Sequence, residues 1–475
     1  MSERMTGQQR LVVAIAVLGS FVAFLDGTVV NVALPAIARE LGGGLSTQQW
    51  TVDAYLVTLG ALILVAGAVS DAYGRILVLR IGLIGFGVAS LAVAAAPSIE
   101  LLIAARAVQG VAGAFLVPSS LALITSTMRD PVRSRAIGLW TALTTGAMIV
   151  GPLLGGVIVD NVSWRWVFLI NVLPIGAALF LLTRLEARDH RRPDARIDWL
   201  GAVLCTAGLG LAVLALIELP NGGPATGWLW GALILGILLF LAFILRQRVA
   251  PQPLLPLDLF RNRTFASGNL ATLFIYAALS LNGFVIAVYL QQGAGLSATL
   301  AGLASLPTTI LVVALSSRVG VLSGRVGPRL FMSIGPLVMA AGCLLLLTVG
   351  TAFDYWWQVL PGMVVLGLGL AITVSPLTAA ILGSADSERS GIASAVNNAV
   401  ARVAGLLSIA SLAAITGGAL DLPGFHRAVW VTAVLLVAGA IISAIGVRNP
   451  PRQATGSGSD DSAAPEAPAT EPRQG

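Results

Sequence analysis

The sequence predicts an all-α protein that crosses a membrane fourteen times, with both termini in the cytoplasm. Three observations support this fold class. Hydrophobic residues make up 57% of the 475-residue chain and charged residues only 11%, whereas soluble domains carry about 25% charged residues. The chain divides at polar and Gly/Pro-rich breaks into fourteen apolar segments. Its arginines lie overwhelmingly on one side of these segments.

Each apolar segment has roughly the 20 residues that a helix needs to cross the hydrocarbon core. We therefore expect membrane-spanning helices over residues 11–35, 49–69, 77–96, 99–123, 134–158, 164–183, 198–218, 227–245, 265–290, 299–317, 330–350, 356–382, 391–415 and 427–447.

The arginines set the expected orientation, because the chain contains no lysine. With a cytoplasmic N-terminus, all arginines fall in or beside cytoplasmic segments except Arg39, Arg165 and Arg427 outside and Arg106 and Arg402 within spans. Such a bias is typical of polytopic proteins. The first helix lacks the short apolar region and cleavage site of a secretory signal, so we expect it to be retained. The net charge of +6 then faces anionic lipid, and no nucleic-acid partner is expected.

The first predicted span carries Asp26 in the run FVAFLDGTVVNVALP. An unpaired charge in hydrocarbon is costly, and intramembrane acids usually face a bundle interior or a water-filled cavity that serves transport. The chain is therefore interpreted as a transporter in which Asp26 takes up and releases a proton. The alternative is a buried, hydrogen-bonded group with a structural role.

Two further charges, Asp53 in span two and Arg106 in span four, are expected at a similar depth. At 1.5 Å per residue, Asp26, Arg106 and Asp53 lie roughly 13, 10 and 6 Å below the outer boundary, so we expect one shared cavity. The guanidinium of Arg106 stays protonated and can tune the proton affinity of a neighbouring carboxyl. The alternatives are a structural clamp for Arg106 and, for Asp53, an acid that merely occupies the first helical turn.

The connection between spans two and three reads GAVSDAYGR and contains Gly67, Asp71, Gly74 and Arg75. Gly67 permits close packing and Gly74 a tight turn, while Asp71 and Arg75 are placed to reach helix ends on the cytoplasmic side. A similar run, GRVGPR, lies between spans ten and eleven. The repeat indicates two homologous six-helix halves that rock against each other, with spans seven and eight inserted between them.

This 6 + 2 + 6 plan divides the chain into four parts. We expect an N-terminal six-helix bundle over 1–183, a cytoplasmic linker plus two inserted transmembrane helices over 184–263, a C-terminal six-helix bundle over 264–448, and a cytoplasmic tail over 449–475. The tail is rich in Pro, Ser, Gly, Ala and acids, a composition that predicts disorder.

Span five contains the run GAMIVGPLLGG, with Gly146, Gly151, Pro152, Gly155 and Gly156. Small residues let helices approach closely, and a proline bends a span. We interpret the segment as a flat, bent helix that acts as a sealed hinge. The alternative is ordinary tight packing in the membrane.

Polar side chains from both halves are expected to line a substrate cavity, although they can equally bond to neighbouring helices. These candidates are Asn31, Tyr55, Gln109, Tyr276, Asn282, Asn397, Asn398 and Arg402. Because no span of the second half carries an acid, dicationic substrates are less expected than monocationic, zwitterionic or neutral lipophilic ones.

Five segments together resemble a known family: LDGTVVNVALP, GAVSDAYGR, RAVQGVAGA, GAMIVGPLLGG and WRWVFLINVLP. They are similar to the fourteen-span drug:proton antiporters of the major facilitator superfamily, over nearly everything except the tail. The resemblance implies proton-coupled export of lipophilic drugs or toxic small molecules by alternating access. It also implies that the span-five motif accompanies export.

The same resemblance implies that Asp71 latches the two halves when the transporter opens outward, with a partner at the start of span thirteen near Gly391. Ala72 and Ile76 stand where the family commonly has basic residues, which predicts a weaker latch. Exclusive use of arginine with abundant Ala, Gly and Val is typical of GC-rich bacterial genomes, so we expect a bacterial cytoplasmic membrane.

Other function classes are less favoured. A phosphate-binding P-loop needs a lysine, so the proton gradient rather than ATP is the expected energy source, and no cofactor is expected. Both histidines, His190 and His426, are expected in loops, and Cys205 and Cys343 lack metal-site spacing. A membrane enzyme is therefore not indicated.

Two transport alternatives stay open. They are a dedicated exporter of one endogenous metabolite or antibiotic, and a proton-coupled importer. In each case the expected partners are H⁺, a small lipophilic molecule and the lipid bilayer, and the protein is expected to be a monomer.

Overall fold

A computed structural model describes residues 5–129, 131–186, 189, 197–222, 226–386 and 389–449. Within these ranges it contains no strand and fourteen helices that are long and apolar enough to cross a membrane, which confirms the predicted fold class and number of spans. The spans are α1 (Gly7–Leu41), α2 (Leu45–Tyr73), α3 (Arg75–Ala94), α4 (Ile99–Thr127), α5 (Val132–Asn161), α6 (Arg165–Thr183), α7 (Trp199–Glu218), α8 (Gly227–Arg246), α9 (Arg263–Gln292), α10 (Ala298–Val326), α11 (Pro328–Thr348), α12 (Tyr355–Gly383), α13 (Gly391–Ala410) and α14 (Leu422–Gly446).

Polar caps extend several helices beyond their apolar cores. Thr6 forms a reciprocal capping box with Gln9, so α1 begins at Gly7 rather than at residue 11. Asp421 accepts a hydrogen bond from the amide of Gly424 and starts α14 at Leu422 rather than at residue 427. The prediction that His426 lies in a loop was therefore wrong, because this cap places it inside α14. His190 and most of the predicted tail lie outside the described residues.

The same pattern of helix packing occurs twice. In the first half α2 packs on α4, α3 on α4 and α1 on α5, and in the second half α10 packs on α12, α11 on α12 and α9 on α13. An even number of spans puts both ends of the chain on one side. We call this the inner side and the opposite one the outer side, following the orientation that the arginines predict.

The repeated sequence run forms the same turn in both halves. Gly74 joins α2 to α3 with φ +108°, and Gly327 joins α10 to α11 with φ +101°, values that favour glycine. Asp189 accepts hydrogen bonds from two amides at the start of α3, and Asn449 accepts one at the start of α11. A side chain at either glycine would collide with the capping residue. Each six-helix set is thus followed by a side chain that caps its third helix.

Helices α7 and α8 form a hairpin that covers the seam between α2 and α13. They pack closely through Gly208 and Gly236: a Cβ at Gly208 would lie 3.0 Å from the carbonyl oxygen of Gly236. Apolar side chains of α7 pack on both α2 and α13. At the outer end, Glu218 Oε1 accepts hydrogen bonds from Trp50 Nε1 at 2.7 Å and from Ser46 Oγ at 3.3 Å. The hairpin is therefore anchored to the first half by a carboxylate.

The anchor predicts an effect on stability. Glu218→Ala removes the acceptor of both bonds, and we expect the free energy of unfolding to fall by about 1 to 3 kcal/mol, the usual worth of bonds to a charged group. Thermal unfolding of the detergent-solubilised protein, followed by tryptophan fluorescence, measures the change. Glu100→Ala is the control, because Glu100 is exposed in the first turn of α4 and its side chain makes no bond to another helix in the described residues. Equal losses in the two variants would contradict the anchoring role.

Candidate functional site

A buried ion pair lies within the first half. Arg106 Nη1 of α4 is 2.6 Å from Asp26 Oδ2 of α1, and the two side chains are 1% and 0% exposed. The sequence placed these charges at a similar depth, and the structure brings them into direct contact. Because such a pair has lost nearly all of its water, its stability depends on the hydrogen bonds that surround it.

Arg106 has partners on three helices. Its Nη1 also donates to Gln109 Oε1 at 2.7 Å, and its Nε donates to the carbonyl of Thr51 in α2 at 3.0 Å. The guanidinium carbon lies 4.4 Å from the ring centre of Tyr55, within the range of a cation–π attraction. Arg106 therefore joins α1, α2 and α4 through a single charged group.

Asp26 has further partners that sequence reasoning missed. Its Oδ1 accepts hydrogen bonds from Gln109 Nε2 and from Asn171 Nδ2 of α6, both at 3.1 Å. Gln109 also donates to Ser90 Oγ of α3 at 2.9 Å. Asn171 lies in the segment WRWVFLINVLP, where an amide in an apolar run was the available signal. The site is thus a network across α1, α2, α3, α4 and α6.

Asp53 lies apart from this network. It is in the third turn of α2, not the first, because the helix begins at Leu45. The side chain is 0% exposed, and neither carboxylate oxygen has a hydrogen-bond partner among the described residues. A buried charge without a partner is costly, so Asp53 differs from Asp26, whose carboxylate is paired with Arg106.

Four of the eight candidate cavity residues are occupied by contacts between helices. Tyr55 and Gln109 belong to the network around Arg106. Asn282 accepts a weak hydrogen bond from the thiol of Cys343 at 3.8 Å, and Asn397 donates to two polar side chains of α9. These four side chains hold helices together in this state.

The other four candidates are half-buried. Asn31, Tyr276, Asn398 and Arg402 make no side-chain hydrogen bond within the part of the chain that the structure describes. The Cβ of Arg402 faces Gly60 of α2, and a Cβ at Gly60 would lie 3.5 Å from it. Arg402 thus lies at the seam between the halves, near the middle of α2 and α13.

The glycines of span five contact two different neighbours. Gly151 and Gly155 pack against α1, and Gly156 packs against α10: a Cβ at Gly156 would lie 2.6 Å from the carbonyl oxygen of Ala298. Gly146, nearer the inner side, has no atom within 4 Å of its Cβ position. The small residues therefore allow close packing at the outer end of α5 and not along its whole length.

The two halves are joined at the outer side. Gln49 Nε2 of α2 donates to the carbonyls of Ile409 and Ala410 at 2.6 and 3.0 Å. Gln291 Nε2 of α9 donates to the carbonyl of Val32 in α1 at 3.1 Å. These contacts, with that of Gly156, close the outer side.

On the inner side, Asp71 and Arg389 each pair with a neighbouring charged group. Asp71 bonds Arg75 at 3.0 Å, and Gly67 faces open space. Arg389, just before α13, bonds Asp258 and thereby lowers the pKa of that carboxyl. The latch between Asp71 and the start of α13 is expected in an outward-open state, so with the outer side closed it stays a prediction.

The buried ion pair predicts that removal of Arg106 destabilises the protein much more than removal of Arg402. Arg106→Ala would leave Asp26 buried without its cation, and breaking a buried pair in this way costs about 3 to 5 kcal/mol. We expect a marked loss of thermal stability in detergent. Arg402→Ala is the matched control, since it removes an intramembrane guanidinium without a hydrogen bond. Comparable losses in both variants would contradict the central role of the pair.

Comparison with known proteins gives consistent results. The model of the Major Facilitator Superfamily matches residues 16–409. The chain is similar to the puromycin resistance protein pur8 of Streptomyces alboniger, with 35% identity covering 83% of this chain and 79% of that protein. It is also 34% identical to the methylenomycin A resistance protein of Bacillus subtilis, covering 84% and 86%. Among solved structures, a peptide transporter POT in complex with sulfate shares the fold with a TM-score of 0.69 at 15% identity, covering 92% and 94%.

Proposed function

The chain belongs to the major facilitator superfamily, and we propose that it exports lipophilic drugs or toxic small molecules in exchange for protons. Its place in the family confirms the resemblance found in the five segments and makes it a transporter rather than an enzyme. It is a multi-pass protein of the bacterial cytoplasmic membrane. The resistance proteins to which it is similar support export of toxic compounds.

The observation that carries the proposal is the set of bonds around Asp26. This carboxylate is fully buried and holds Arg106, Gln109 and Asn171 together. Adding a proton would remove its charge, leave Arg106 without its ion-pair partner and loosen α1 from α4 and α6. Because α1 also contacts α5 and α9 at the outer side, protonation of Asp26 acts directly on the helix that closes the halves.

A transport cycle follows from this coupling. In the state described here the outer side is closed, and substrate enters the space between the halves from the cytoplasm. Rocking of the halves exposes the site to the outside, where a proton binds Asp26 and substrate leaves. Asp53 is buried and its carboxylate has no hydrogen-bond partner among the described residues. It is proposed as a second carboxyl that gains and loses a proton. Asp71 then latches the inner side.

The charges within the membrane-spanning helices limit the choice of substrate. Asp26 is neutralised by Arg106, and Arg402 is a cation without an ion-pair partner in the described ranges. A dication would meet net positive charge there and no acid from the second half. Monocationic, zwitterionic and neutral lipophilic molecules are therefore the proposed substrates, and apolar contact supplies most of their binding.

Asp26→Asn tests the proton site. Asparagine keeps the size of the side chain and cannot ionise, so we expect drug-driven proton release from everted vesicles to fall at least about tenfold, the loss that follows when a proton-carrying group is removed. Immunoblots should show the variant still in the membrane. Glu100→Gln, which changes an acid at the surface of α4, should leave release intact. Undiminished release by Asp26→Asn would exclude Asp26 from the mechanism.

A dedicated exporter of one compound is the second candidate, because the two relatives are each named for one antibiotic. Everted vesicles separate the cases when puromycin, ethidium and a neutral lipophilic dye are added in turn. Proton release with all three supports multidrug antiport, and a response to one alone supports a dedicated exporter. Accumulation of the compound inside intact cells would indicate an importer and contradict export.

A further inference from the structure

A carboxylate of the first half caps a helix of the second half. Asp160, at the outer end of α5, accepts a hydrogen bond through Oδ1 from the amide of Ala298 at 3.0 Å and through Oδ2 from the amide of Thr299 at 2.7 Å. Both amides begin α10, where helical backbone donors have no partner within the helix. Both oxygens of one side chain are therefore committed to the backbone of the opposite half.

The surrounding backbone leaves little freedom at this contact. Gly156, one turn before Asp160, lies against the first residues of α10, and Gly302 lies against the carbonyl of Pro152. A side chain at either glycine would overlap backbone atoms of the other helix. The outer ends of α5 and α10 thus meet backbone to backbone, and Asp160 supplies the directional bonds of that junction.

Asp160 differs in kind from the other contacts across the halves. Gln49 and Gln291 are buried, neutral amides that donate to carbonyls, whereas Asp160 is exposed and accepts with an ionised group. Within the described ranges no other acidic side chain bonds from one half to the other. Glu218 bonds from the inserted hairpin to α2. Charge-assisted bonds are stronger than neutral ones.

The immediate surroundings of Asp160 are polar and uncharged. On α10 the hydroxyls of Ser297 and Thr299 face the carboxylate. On α5 and on α1, no charged side chain in the described residues forms an ion pair with it. The carboxylate is thus the titratable group at this junction, and it is open to the external solution.

We propose that Asp160 is an outer latch, a positioning residue that holds the outer side closed. The latch follows from the two backbone contacts, and its place in the transport cycle rests on the proposed function. Opening toward the outside would then require that both bonds of Asp160 break.

Distances between spin labels test the latch directly. Labels at Trp166→Cys in α6 and Trp357→Cys in α12 report on separation of the outer ends, since these side chains are 54% and 80% exposed and lie in different halves. The two native cysteines, both buried, are replaced by alanine. We expect Asp160→Asn to raise the outward-open population about fivefold at pH 7.5 without substrate, because an amide nitrogen cannot accept the second bond.

Asp421→Asn is the matched control. Asp421 is an equally exposed outer carboxylate that caps a helix of its own half, so its loss should leave the distances unchanged. Distances in Asp160→Asn that match those of the parent would overturn the proposal. These measurements need no drug, so their outcome is independent of the vesicle assays.

Discussion

A guanidinium buried in an apolar bundle must find all of its partners in the protein, and Arg106 imposes this requirement on the first half. Its bonds reach Asp26, Gln109 and the backbone of α2, and those of Asp26 extend to α6. Since each lost bond would leave a polar group without water, the relative positions of these helices are fixed together. Helices α1, α2, α3, α4 and α6 therefore share one set of buried bonds.

This requirement explains what the sequence could reveal. A charge in an apolar run is conspicuous, and the constant rise of a helix converts position into depth, so Asp26 and Arg106 were both found and expected to be close. Rotation about the helix axis is harder to infer. Thr51 and Asp53 are two residues apart, about 200° around α2, and only the backbone of Thr51 reaches Arg106. Asn171 was missed as a partner of Asp26 because uncharged polar residues occur in many spans.

The internal repeat is visible in the sequence for a related reason. A turn that needs positive φ favours glycine, so the turns at Gly74 and Gly327 are recognisable from the order of residues alone. The capping residues Asp189 and Asn449 cannot be recognised from the sequence, because each lies more than a hundred residues after its turn and the separation differs between the halves. The junction at Asp160 is hidden in the same way, since its partners lie 138 and 139 residues away. The two halves thus share a scaffold but differ in the charged residues within their spans. The first half buries Asp26, Asp53 and Arg106 there, whereas Arg402 of the second half is half-buried.

The hairpin of α7 and α8 makes the two flanks of the molecule unequal. On one flank it covers the contact between α2 and α13. On the other flank α5 and α10 touch near their outer ends, and no inserted helix in the described residues covers them. A lipophilic compound dissolved in the cytoplasmic leaflet would therefore meet the hairpin on one flank and the uncovered pair of α5 and α10 on the other. If a substrate enters sideways from the lipid, the open route lies on the flank formed by α5 and α10, below the outer contact between these two helices.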